Sequence, residues 1–465
     1  MAATITAEMK RRFIDEFKND ADSASVNYYI GISRSEDWND SDTAPTPLNT
    51  EREQRNFRLG LQSVKQVAHY SFVIPRVNWT SGTTFAAYND AAEAHPTVPY
   101  YAMTESNAVY VCTRQGKNAA GVTQPSTVQP TGSSTKGTVL SDGYGWKFLY
   151  TIGTLDAARF KSANFIPVKL QGATDSASPA TDVEQLAIQT AAISGRQIIG
   201  FSLDSGGAGY TSNPTVTITG DGVVGGTTGA KASAVQSGGA IVKITLDDDS
   251  AGGLNAILMG SGFNFASIVL SGGGSPTKIA TGKVIFGPKA GLGADPRDDL
   301  RSRAMMFNTK PVGDEDGEFV VGNSFRQIGL LRNPTDSAGA AFTGSDGNAL
   351  RRLQMAAITT VFTQRSLLTG GTSGAKAFVD KTDSDEIFYH QTEGTGFTQF
   401  QEAEAVTDAA GGAGTIQAAN TDADTNAFVE PKVDKFSGDL LYVENRAAVV
   451  RAADQTEDIK VIIEI

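Results

Sequence analysis

Most of this chain reads as short strand-like runs separated by turns, and only a few stretches show helical spacing. Thr215-Val216-Thr217-Ile218-Thr219 puts Val and Ile on one face and Thr on the other, the signature of a half-buried strand. Ile241 to Leu246 reads as another strand. Residues 6 to 18 differ: Met9, Phe13 and Phe17 recur every four positions with Ile14 beside them, and Thr6 can cap the start, so a helix is predicted. A second helix is predicted from Thr50. Thr50 and Glu53 have capping-box spacing, and Phe57, Leu61, Val64 and Ala68 form one stripe. Gly60 weakens that stripe. A short third helix is expected over Leu155 to Lys161.

Two regions stand apart in pattern. From about 191 to 286, Gly, Ser, Thr, Val and Ile dominate and the stretch repeats itself. Gly207-Ala208-Gly209-Tyr210, a strand, Gly-rich turns and Gly229-Ala230-Lys231-Ala232 form one unit. Gly260-Ser261-Gly262-Phe263, Ile268-Val269-Leu270, Gly272-Gly273-Gly274 and Thr281-Gly282-Lys283-Val284 form a degenerate second. From about 336 to 430, strand-like pieces at Thr359 to Phe362, Ala375 to Val379 and Glu386 to Tyr389 lie between loose Ala, Gly, Thr and Asp tracts. The expected architecture is mainly β with a few short helices, a multi-domain β-sandwich-like core carrying two β-rich insertions. The core would comprise residues 1–190, 287–335 and 431–465; the insertions would be 191–286 and 336–430.

Composition supports the β reading. The chain has 465 residues, too many for one hydrophobic core, and 50 of them are Gly, which favours tight turns over helices. With 39 Lys and Arg against 51 Asp and Glu, the net charge of -12 argues against nucleic acid as a partner. Cys112 is the single cysteine, so no internal disulfide and no Cys-based zinc site is expected; its apolar run Val109-Tyr110-Val111 predicts a buried thiol. This suits a reducing cytoplasm. No leader segment is read at the start, and no run reaches the ~18 apolar residues that cross a bilayer.

Candidate chemistry is sparse. His69, His95 and His390 show no metal-ligand spacing, and no nucleophile elbow or phosphate loop occurs. Asp247-Asp248-Asp249 and Asp314-Glu315-Asp316-Gly317-Glu318 lack EF-hand spacing, so they read as solvated turns, with a weak structural calcium as the alternative. Trp38, Trp79 and Trp146 sit beside charged and turn residues. They read as anchors of a core or a subunit interface, with sugar binding as the alternative.

Five segments in order resemble the baseplate wedge subunit, the product of gene eight, of T-even-like contractile-tailed bacteriophages. They are Tyr29-Ile30-Gly31-Ile32-Ser33-Arg34-Ser35-Glu36-Asp37-Trp38; Val73-Ile74-Pro75-Arg76-Val77-Asn78-Trp79; and Val109 to Cys112 with Asp142-Gly143-Tyr144-Gly145-Trp146-Lys147-Phe148-Leu149-Tyr150. Then come Ser324-Phe325-Arg326-Gln327-Ile328-Gly329-Leu330-Leu331-Arg332-Asn333-Pro334 and Gly438 to Arg446 with Asp454 to Ile459. The resemblance covers roughly 25–170, 300–335 and 436–465, leaving out the two odd regions. It implies a mostly β homodimer without an active site or cofactor. Such a subunit docks other baseplate wedge proteins, touches neither nucleic acid nor membrane, and resides in the virion tail after assembly in the host cytoplasm. Arg34, Arg76, Arg326 and Arg446 lie at strand–turn junctions and are expected to brace turns or meet partners, with Asp142, Glu444 and Asp454 as candidate acceptors. Trp38 and Trp79, each after an Arg-bearing strand end, are the expected interface anchors, and Trp146 a further anchor. Two rivals remain: a host-surface glycan recognition module built on the Gly-rich repeats, and a glycan hydrolase, which would need paired carboxylates.

Overall fold

A computed structural model describes residues 3–92, 95–172, 179–192, 195–225, 229–249, 256–420 and 426–465. Strands account for 39% of the described residues and helices for 11%, so the protein is mainly β, with several antiparallel sheets. The chain forms two compact units. Unit 1 comprises Met1–Arg11, Ser71–Met305 and Glu464–Ile465; unit 2 comprises Arg12–Tyr70 and Met306–Ile463. The stretch 1–190, read as one piece of core, is thus divided between them.

In unit 1 a six-stranded sheet runs in the order Asp248–Asp249, Ala256–Ile257, Thr138–Val139, Gly145–Thr151, Ala108–Arg114, Tyr101–Met103. Its central strands are buried on both faces. Along Ala108–Arg114, Val109 and Val111 pack into one cluster with Ile74, Leu149 and Ile166, whereas Tyr110 and Cys112 pack into another with Phe85, Trp146 and Phe148. The period-two alternation of side chains explains this split. Beside this sheet, Phe72 pairs with Val168 and Ile74 with Ile166.

Besides the two short strands it lends to that sheet, the 191–286 region forms a set of six: Ile198–Ser205, Thr215–Gly220, Ala232–Ser237, Ala240–Leu246, Ala266–Ser271 and Thr281–Phe286. The second pairs with both the third and the fifth, the third with the fourth and the sixth with the first. The first also lies beside the fourth, and the fifth beside the sixth, so the set closes into a small barrel. Exchanging strands one, two and three for four, five and six reproduces every one of these neighbours, a pseudo-two-fold relation. The backbone repeats accordingly. Tyr210 N donates to Gly239 O and Phe263 N to Arg196 O; Ile241 N donates to Gly206 O and Ile198 N to Met259 O. Gly207 and Gly209 have φ of 66° and 81°, Gly260 and Gly262 of 60° and 81°, and each pair delivers a buried aromatic, Tyr210 or Phe263, into the barrel. Left-handed φ is why both stretches use Gly. The barrel has cores of its own, yet Ile199 from its first strand packs with the six-stranded sheet.

Unit 2 holds a five-stranded sheet in the order Asp346–Asn348, Leu61–Gln66, Tyr28–Ser33, Ser324–Arg332, Asp439–Val450. Gly31 and Gly329 face each other across its centre. A Cβ on Gly329 would lie 2.8 Å from two carbons of the Phe57 ring, so the paired glycines form the slot that holds this buried ring. The 336–430 region forms a second barrel from Arg351–Thr360, Leu367–Gly370, Lys376–Asp383, Glu386–His390, Ala405–Asp408 and Ala413–Ile416, closed by pairing of the first with the fourth. Leu353, Leu368, Val379, Ile387, Val406 and Ile416 fill it.

Several local expectations need correction. The second helix is only Glu51–Leu59; Gly60 caps it and the chain turns at once into the strand Leu61–Gln66. Phe57, Leu61 and Val64 do share one core cluster, but they reach it from a helix and a strand. A side chain at residue 60 would crowd Ser33 Oγ and Arg34 N at 3.1 and 3.2 Å, so Gly permits this tight switch. Thr50 caps as read, its hydroxyl accepting from Glu53 N at 3.2 Å. The first helix forms over Ala7–Asp22, but Met9 and Phe13 remain 45% exposed and Ile14 is its buried residue. The strand expected at Thr359 to Phe362 is the end of Arg351–Thr360. A helix at Ala180–Thr190 was not legible as such; Gln185, buried, donates to Lys169 O and helps to fix it.

Candidate functional site

The turn that follows the Tyr28–Ser33 strand in unit 2 is densely braced. Arg34 adopts φ 60°, uncommon for a side chain of this size, and lays its guanidinium over the Trp38 ring at 4.2 Å. Its Nη2 donates to Asp37 O at 3.0 Å. Trp38 is half-buried: its backbone N donates to Asp42 Oδ1 and its indole N–H to Arg446 O, both at 3.0 Å. Arg326, buried in the Ser324–Arg332 strand, reaches the same turn. Its Nε and Nη2 fork onto the two Asp42 oxygens at 2.7 and 2.8 Å, its Nη1 donates to Ser35 O at 2.6 Å, and Nη2 also meets Asp37. A planar fork on a carboxylate is what Arg supplies and Lys cannot. The Arg326 guanidinium pulls Asp42 down to about 2.

Behind this turn lies a constellation with no sequence signal. His390 is fully enclosed, with Nδ1 2.5 Å from Asp380 Oδ2 and Nε2 3.1 Å from Glu36 Oε1. The second approach is an ion pair off the direction of a hydrogen bond. Burial alone would lower the imidazole pKa, but the two carboxylates outweigh it and raise it to about 10. Burial would likewise raise Glu36, yet His390 dominates and takes it to about 2. Asn323 Nδ2 donates to Asp380 Oδ1 at 3.2 Å. An imidazolium between two carboxylates in a sealed interior is a pin: it joins the second barrel to the turn and presents no reactive atom to solvent.

In unit 1, Asp142 has the equivalent bracing role. Its Oδ2 accepts from Ser126 Oγ, Thr127 N and Val128 N at 3.1, 2.9 and 3.0 Å, and its Oδ1 from Tyr144 N at 3.1 Å. Trp79 is half-buried and donates its indole N–H to Ser126 Oγ at 3.2 Å. Trp146 is a core residue, edge-on to Phe85 and stacked on Tyr144. Arg76 bonds Asn78 Oδ1 and Ser162 O at 2.9 and 3.0 Å.

The acceptors expected for the arginines are therefore corrected. Arg326 meets Asp37 and Asp42, while Asp142 serves backbone N–H groups and Ser126. Glu444 accepts from the Tyr442 hydroxyl at 2.9 Å, and Asp454 lies exposed in a turn. Arg446 enters the brace through its carbonyl. A charged side chain bonds what the fold brings near, and spacing along the chain does not report that.

Among the described residues, no three His, Cys, Asp or Glu side chains gather as a metal site requires. Among the same residues, no helix is long and apolar enough to cross a membrane. A cleft of about 380 Å³ opens in unit 1, lined by Ala86, Ala87 and Asn89, by Thr113, Arg114, Gln115 and Lys117, and by residues of the first and fourth strands of the first barrel. Compared with known proteins, the chain matches no family model and no curated protein.

Proposed function

We propose that this chain is a non-catalytic structural subunit of a contractile-tail baseplate wedge, docking neighbouring tail proteins during assembly and supporting baseplate rearrangement at infection. The observation that carries this reading is the ordered set of five motif segments that resemble the wedge family. Their physical roles are those of a scaffold. Gly31 and Gly329 make the slot for Phe57, Arg326 and Trp38 brace a turn, and Asp142 gathers a loop. The Gly438 to Arg446 motif lies on the edge strand Asp439–Val450, which exposes Leu441 and Val450. Open strand edges with exposed apolar side chains are surfaces on which another chain can add. Light scattering should find a homodimer, and co-expression with the neighbouring tail proteins should yield a stable complex that Leu441→Lys weakens without changing the melt. A monodisperse monomer that captures no tail protein overturns the reading.

A further inference from the structure

The cleft of unit 1 has an organisation that bracing does not explain. The pseudo-two-fold of the first barrel sets its first and fourth strands side by side, and both line the cleft. At equivalent positions in the two strands stand Gly200 and Lys243. A Cβ on Gly200 would meet nothing within 4 Å, so this position leaves open the space that Lys243 borders. The charged residues of the lining are Arg114, Lys117 and Lys243, all cations, in a chain of 51 acidic and 39 basic residues. Arg114 is tethered to Leu246 O and, at 2.9 Å, to Asp248 Oδ1, which offsets one charge. Among the described residues, neither Lys117 nor Lys243 has an ion-pair partner.

The uncharged lining narrows the ligand. Thr113 is buried, and its hydroxyl has no hydrogen-bond partner within the protein. A buried hydroxyl left unpaired is costly and marks a place where a bound group would complete the bonding. Asn89, Gln115, Ser202 and Thr245 add amides and hydroxyls, and Ile244 and Ile285 add aliphatic wall. We propose that this cleft binds a small hydroxyl-rich organic anion, a sugar acid or sugar phosphate, with Lys117 and Lys243 on the anionic group and Thr113 on a hydroxyl. Concave sites that pair apolar walls with a few convergent polar groups are the ordinary form of a small-ligand pocket. This goes beyond the scaffold reading and does not rest on it.

The test is calorimetric titration of the full chain with glucuronate, glucose 6-phosphate, glucose and inorganic phosphate. At least one anionic sugar should bind, more weakly as salt rises, and the ratio between the two separates carboxylate from phosphate recognition. Glucose should fail to saturate at ~10 mM. Lys243→Met should weaken binding about tenfold, and Gly200→Leu, which fills the open space, should abolish it with an unchanged melting curve. The proposal is overturned if neither anionic sugar binds, if glucose or inorganic phosphate binds as well as they do, or if Gly200→Leu melts normally and still binds.

Discussion

Replacing His390 by Gln tests the pin at the heart of unit 2. The variant keeps an amide donor for one carboxylate and removes the positive charge that both Asp380 and Glu36 face. Breaking a buried ion pair from one side leaves a desolvated charge unpaired and costs about 3–5 kcal/mol. A ceiling comes from the imidazole itself: holding its proton from 6.5 up to about 10 is worth about 5 kcal/mol. Unit 2 should therefore melt some ~6–20 °C lower, at about 2–4 °C per kcal/mol for a body of this size. Trp38 is the tryptophan of unit 2, so its fluorescence during urea unfolding reports this unit. The pH dependence has a definite sign. The folded protein holds the His390 proton more tightly than the unfolded chain, so the contribution is complete below about 6.5 and disappears as pH rises through about 10. Glu36 works oppositely: its folded value of about 2 lies below 4.5, so its contribution is complete above 4.5 and fades as pH falls toward 2. The stability gap between wild type and His390→Gln should thus be widest between these limits and close at alkaline pH. A gap below about 1 kcal/mol at pH 7, or one that stays constant past pH 10, refutes the pin.

Two further outcomes follow from packing. Gly329→Ala drives a methyl into the Phe57 ring and should cost about 1–3 kcal/mol in urea unfolding, part of which Phe57→Leu in the same chain should restore; a wild-type melt for Gly329→Ala would show that the slot has room to spare. Cys112 is buried, and burial pushes its thiol well above the usual range, so the native protein should leave it unreactive toward a disulfide reagent at pH 8 and expose it only on unfolding in guanidinium; reaction in the native state would contradict the packing.

The sequence by itself carried whatever is decided within a few residues. Alternation in Thr215 to Thr219 marked a strand because a strand's own pleat separates its two faces. The two G-x-G-aromatic stretches announced a repeat because left-handed φ at both glycines is a local demand. Thr6 and Thr50 marked helix starts because a cap bonds a backbone N–H three residues on. Local information failed where two local solutions compete, as in the stripe from Phe57 to Val64, whose spacing suits one helix but whose chain turns at Gly60. Only the tertiary structure could decide the rest. It brought Glu36, Asp380 and His390 together, aimed Arg326 at Asp37 and Asp42 rather than at the acids expected, and turned the indoles of Trp38 and Trp79 onto groups of their own units. It also closed six strands into a barrel whose first and fourth members set Gly200 and Lys243 along one cleft. Charges and hydrogen-bond donors choose partners by distance in space, and that distance is set by which strands pair, an outcome spread over the whole chain and written in no single segment of it.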